Sequence, residues 1–153
     1  MNRNTSSIMS GLSLKFSLML LFVLISITNV FADNKLSIDN FSIKPGETKE
    51  VAVNLDNSDV MTSLQMDVQL PSGLTCTALT LNPDRLDQNE QTLNLTPHPA
   101  GLYFVGIFSK NETNFVGNSG TLVYMTIKAD ADFKNKGTIT ILNAIASNIK
   151  AVD

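Results

Sequence analysis

One histidine, His98, and one cysteine, Cys76, bound the chemistry this chain can do. Nucleophilic catalysis of the Ser-His-Asp or Cys-His kind would have to run through His98. That residue lies between Pro97 and Pro99, which reads as a surface turn. A zinc site needs about four ligands, mostly Cys and His, and one of each cannot supply it. Cys76, in Leu74-Thr75-Cys76-Thr77-Ala78-Leu79, has no basic neighbour to lower its pKa and reads as a small buried apolar residue. Carboxylates are more plentiful. Asp130-Ala131-Asp132 and the Asp56 to Asp59 stretch could offer oxygens to calcium, but neither has the spaced Asp/Asn, central Gly and terminal Glu of a calcium loop. Nothing points to the two converging carboxylates of a glycosidase, to a glycine-rich phosphate loop or to a basic stripe. No catalytic residue, metal or cofactor is expected, and the function is a binding one. Asn94-Leu95-Thr96 and Asn111-Glu112-Thr113 fit the N-glycosylation tripeptide, a pattern too short to carry weight.

The elements that would present a binding surface are strands. From Ser63 to Leu74, Leu64, Met66, Val68 and Leu70 alternate with Ser63, Gln65, Asp67 and Gln69, the period of a strand with one buried and one wet face, and Pro71 and Gly73 end it. Upstream, Leu36, Ile38, Phe41 and Ile43 form an extended segment. Lys44-Pro45-Gly46-Glu47 has the residues of a type II turn, and Thr48 to Leu55 alternates again, predicting a hairpin. Downstream, strands are expected over Leu74 to Leu81, Thr92 to Thr96, Leu102 to Ser109, Thr121 to Ala129 and Thr138 to Leu142, with Phe115 and Val116 as a short strand or an anchor onto the core. No sustained helical periodicity occurs after the N-terminal segment. The expected fold is all-β, an antiparallel β-sandwich.

Arg3 and Lys15 precede an apolar run from Phe16 to Ile27, and Val30-Phe31-Ala32 has the small residues of a cleavage site, so Met1 to Ala32 reads as a secretory signal and residues 33–153 as a single domain. Ser26, Thr28 and Asn29 break the run short of a membrane span. The 121 residues left of 153 keep nine basic side chains against 14 acidic ones, a net charge of −5. That balance argues against nucleic acid and anionic membrane surfaces as partners and suits an exported protein, secreted or held at the cell surface. With one cysteine there is no internal disulfide, so the core must supply the stability.

Two strands carry more apolar residues than a half-wet strand needs. In Leu102 to Ser109, Leu102, Phe104 and Phe108 take one parity and Tyr103, Val105 and Ile107 the other. In Thr121 to Ala129, Val123, Met125 and Ile127 oppose Leu122, Tyr124, Thr126 and Lys128. Either a loop covers the surplus, or it forms an exposed apolar patch for a partner. Tryptophan is absent, so a sugar-stacking surface would rest on Tyr103 and Tyr124 alone.

Phe41-Ser42-Ile43-Lys44-Pro45-Gly46-Glu47-Thr48, then Val51-Ala52-Val53-Asn54-Leu55, then Leu64 to Leu74, resembles the opening of cohesin modules, and Gly120 to Ala129 followed by Gly137-Thr138-Ile139-Thr140-Ile141 resembles their C-terminal half. The likeness spans about Leu36 to Asn148. It implies a jelly-roll sandwich of eight to nine strands and a non-catalytic module that docks a dockerin-like or other extracellular protein, in polysaccharide-degrading assemblies. The alternative is a carbohydrate-binding module on the same plan, with polysaccharide as the partner. In cohesins the partner docks on one sheet, chiefly on the outer faces of the third, fifth, sixth and eighth strands. Carried over by position, this marks Ser63, Gln65 and Asp67, then Tyr103, Val105 and Ile107, then Leu122 and Tyr124. Two departures stand out. Cohesins usually end in a further long strand, for which only Ile149 to Val152 is present. Ser63 and Gln65 also stand where dockerin-binding cohesins carry charged or asparagine side chains.

Overall fold

The computed structural model describes residues 34–134 and 137–148. The secretory segment read over Met1 to Ala32 and the final strand material, Ile149 to Val152, lie outside them. Eight strands form among the described residues: β1 (Lys35–Ile38), β2 (Thr48–Asp56), β3 (Ser63–Gln69), β4 (Leu74–Leu81), β5 (Gln91–His98), β6 (Leu102–Ser109), β7 (Thr121–Ala129) and β8 (Thr140–Ser147). The one helical element among the described residues is a 3-10 turn at Pro99–Gly101. The strands make two four-stranded sheets, ordered β1-β2-β7-β4 and β5-β6-β3-β8. Every paired neighbour is antiparallel. The fold is the expected β-sandwich of jelly-roll type.

Alternation builds each layer. On β3, Leu64, Met66 and Val68 are buried while Ser63, Gln65, Asp67 and Gln69 remain half-open. β2 buries Val51, Val53 and Leu55, and β7 buries Val123, Met125 and Ile127, so the core fills from both sheets with branched and flexible apolar side chains. The Lys44-to-Glu47 turn closes as its residues demand: Gly46 takes φ 74°, and Glu47 N–H donates to the Lys44 carbonyl at 3.0 Å. β1 then pairs with β2, as the hairpin reading requires. Phe115 is the expected anchor, buried, with its N–H donating to the Met61 carbonyl at 2.7 Å.

One buried cation ties the loops at one end of the sandwich. Arg85, 5% exposed, donates Nη1 to the carbonyls of Leu55 (3.3 Å) and Gly120 (3.2 Å) and Nη2 to Asn57 Oδ1 (2.9 Å). Burial pulls its guanidinium below the ordinary arginine value, and Asp56 pulls the other way. The β4–β5 loop is thereby fixed to the end of β2 and to Gly120, the residue just before β7.

Candidate functional site

Both parities of β6 are apolar, and its pairing with β3 decides which face is wet. Val68 pairs with Tyr103, Met66 with Val105 and Leu64 with Ile107, and directly opposed residues of neighbouring strands share a face. Tyr103, Val105 and Ile107 therefore point between the sheets, and Val105 and Ile107 are completely buried. Leu122 lies where the β2–β7 register skips a residue and is also completely buried in the core. These four residues, expected on a docking face, are core residues. Tyr124 is half-buried on the outside, but of the other sheet, where it sits between Ala52 and Thr80. Ser63, Gln65 and Asp67 lie on the outer face of β3.

The outer face of the β5-β6-β3-β8 sheet is built from different apolar residues. Asp67 pairs with Phe104 and Gln69 with Leu102, so Leu102, Phe104 and the exposed Phe108 form a ridge along β6. Gly106 lies between the two rings and has no side chain to hold them apart. A Cβ there would come within 2.8 Å of Phe108 Cζ and 3.1 Å of Phe104 Cε1. The rings converge over the glycine backbone and bury it, giving an aromatic platform on β6. On one flank β3 offers Gln65, Asp67 and Gln69. Asn143 Nδ2 donates to Asp67 Oδ2 at 2.8 Å, and Gln69 Nε2 donates to the Ala100 carbonyl at 2.8 Å. β8 continues the apolar surface with Leu142, 43% exposed, and Ile145, 55% exposed. On the other flank β5 presents Thr92, Asn94, Thr96 and His98, all exposed, with Thr96 Oγ1 donating to Asn94 Oδ1 at 2.9 Å. The face thus carries an apolar ridge on β6 flanked by amides, hydroxyls and one carboxylate, with a second apolar strip at the β8 edge.

The opposite outer face differs. Threonines and charges line it, with Thr75, Lys128 and Thr48 in one row and Ala78, Thr126 and Glu50 in the next. Tyr103 and Tyr124 belong to different sheets, and Tyr103 faces the core. The two-tyrosine platform considered for sugar stacking does not form.

Among the described residues, no three His, Cys, Asp or Glu side chains come together as a metal cluster would. His98 is exposed at the end of β5, and Cys76 is buried in β4 on the other sheet. Burial pushes the Cys76 thiol up to about 11, against a weaker downward pull from hydrogen bonding with the Ala78 backbone. The thiolate is the reactive form, so Cys76 is expected to resist Ellman's reagent in the folded protein at pH 8 and to react with one equivalent once denatured. Because the folded value is the raised one, the contribution of this thiol to stability is complete below its unfolded value, near 9, and is lost as pH climbs towards 11.

No family profile and no curated protein matches the sequence. Solved structures do match. The cohesin CaCohA2 from Clostridium acetobutylicum has a TM-score of 0.65 at 19% identity, covering 76% of this chain and 80% of that one. A non-cellulosomal cohesin from the archaeon Archaeoglobus fulgidus has a TM-score of 0.62 at 17% identity, covering 76% and 79%. A chain of the type I cohesin–dockerin complex Coh-OlpC-Doc435 from Clostridium thermocellum has a TM-score of 0.60 at 17% identity, covering 76% and 84%. The chain has the cohesin fold.

Proposed function

We propose that this chain is an exported, non-catalytic protein-binding module that docks a dockerin-like partner on the outer face of its β5-β6-β3-β8 sheet. The observation that carries the reading is the aromatic platform of Phe104 and Phe108 over Gly106, flanked by Gln65, Asp67 and Gln69. It lies on the sheet made of the third, fifth, sixth and eighth strands, the strands the cohesin resemblance singles out. Solved neighbours of the same fold include a cohesin–dockerin complex, which favours a protein partner of that kind. Under this reading Met1 to Ala32 is the export signal, residues 33–153 are the binding domain, and the docked partners are extracellular, in polysaccharide-degrading assemblies.

The test immobilises the protein as secreted and offers it a panel of purified dockerin modules and, in parallel, insoluble polysaccharides. Saturable binding of a dockerin that survives Tyr124→Lys on the opposite sheet is the expected result. Retention on polysaccharide with no dockerin bound would overturn the reading. N-terminal sequencing of the same material should begin at Asp33.

A further inference from the structure

Among the described residues each sheet has two edge strands, and three of the four are blunted. β1 is only four residues long and opens with Lys35. β5 contains Pro97, which cannot donate to another strand. β4 abuts β5 where the two sheets meet. β8 differs from all of these. It is eight residues long, reads Thr-Ile-Leu-Asn-Ala-Ile-Ala-Ser, and holds no charge, proline or glycine. Among the described residues it pairs only with β3. Edges of this kind are templates for another strand, and proteins usually interrupt them with lysine or proline.

The same strand exposes two of the largest apolar side chains on the surface, Leu142 and Ile145. They are three residues apart yet share a face, because the register against β3 skips between Gln65 and Asp67, and Asn143 takes the left-handed φ of 49° there. The hydrogen bond from Asn143 to Asp67 pins this bulge on the outer face of the sheet. The sequence of β8 is also complementary to itself. Laid antiparallel about Asn143 and Ala144, Thr140 meets Ser147 of a second copy, Ile141 meets Ala146, and Leu142 meets Ile145. Each match occurs twice across the two-fold axis. The bulges fall on the axis, leaving paired runs on either side, and no charges face each other across the seam.

We propose that β8 is a self-association edge, through which two copies of this chain pair antiparallel and fuse their β5-β6-β3-β8 sheets into one eight-stranded sheet. The Leu142 and Ile145 side chains of each copy then cover one another. The acidic excess of the chain opposes approach of two copies at long range, so salt strengthens the dimer. The two outer faces lie side by side and present the Phe104 and Phe108 platform twice to one large partner, which raises apparent affinity without any new contact.

Sedimentation velocity on the protein as secreted, over a concentration series, tests this. The weight-average mass is expected to rise from one copy towards two, more steeply in high salt. Ala144→Lys and, separately, Ile145→Lys should each hold it at one copy while the circular dichroism spectrum stays that of the parent. Hydrogen exchange supplies a measurement that needs no variant: β8 amides should gain protection as concentration rises. A single-copy mass at every concentration, or a dimer that both lysine variants leave intact and whose β8 exchange is indifferent to dilution, overturns the proposal.

Discussion

Replacing Phe104 with lysine is expected to weaken partner binding by at least about 30-fold, the equivalent of the roughly 2 kcal/mol that a central aromatic anchor carries in a protein interface. Phe104 is half-exposed and centred on the outer face, with Leu102 and Phe108 on the same strand extending its apolar surface. Removing its ring also uncovers one side of Gly106. Lysine is the informative replacement because Asp67 lies directly across on β3, and an opposite-charge cross-strand pair contributes about 0.2–1 kcal/mol to the sheet. The melting temperature should therefore stay close to the parent's while affinity falls. Titration calorimetry with the captured dockerin module reads the loss, and Tyr124→Lys on the far sheet serves as the control. Undiminished affinity of the Phe104→Lys protein would remove this face from the docking account.

One residue further along, the expected outcome reverses. Val105→Asp should abolish the fold. Val105 is completely buried and is flanked by Met66 on β3 and Leu95 on β5, so a carboxylate there would have no partner and no water. Burying an unpaired charge costs several kcal/mol, against a total stability of about 5–15 kcal/mol for a domain. Circular dichroism should show no cooperative unfolding transition. Ile107→Ala, two positions on and equally buried, is the milder companion: it should keep the fold and lose about 2–5 kcal/mol, visible as a lower urea midpoint. A Val105→Asp protein that folded but failed to bind would mean that the odd-numbered residues of β6 face outward.

The contrast between Phe104 and Val105 shows where sequence reading succeeds and where it stops. Most strands are legible from alternation and turn residues, because a half-buried strand writes its two faces into its sequence; β3 is the clearest case. On β6 both parities are apolar, so alternation carries no information, and the face is set by register against β3, a contact between residues about 40 positions apart. Reading the docking face onto Tyr103, Val105 and Ile107 put core residues on the surface. One local clue pointed the other way. Gly106 shares its parity with Phe104 and Phe108, and a glycine facing the core would leave a hole that close packing does not tolerate. Leu122 falls in the core because of a register skip that one strand alone cannot reveal, and Tyr124 lies on the other sheet because sheet membership depends on topology. The strand expected over Thr138 to Leu142 instead runs from Thr140 to Ser147, since Asn143 accepts a left-handed φ and makes a bulge instead of a stop.

The strand order has a consequence for how the chain reaches this state. Apart from β1 with β2 and β5 with β6, each pairing joins strands distant in sequence: β2 with β7, β4 with β7, β3 with β6 and β3 with β8. The β1-β2-β7-β4 sheet cannot grow beyond its first hairpin until β7 has been synthesised, and the other sheet lacks its last strand until β8 follows, so loop-closure entropy falls due before many native contacts reward it. A topology of this kind folds in milliseconds to seconds. For that interval the uncharged β8 is available to neighbouring chains, and high expression in a crowded compartment would favour aggregation over the native pairing.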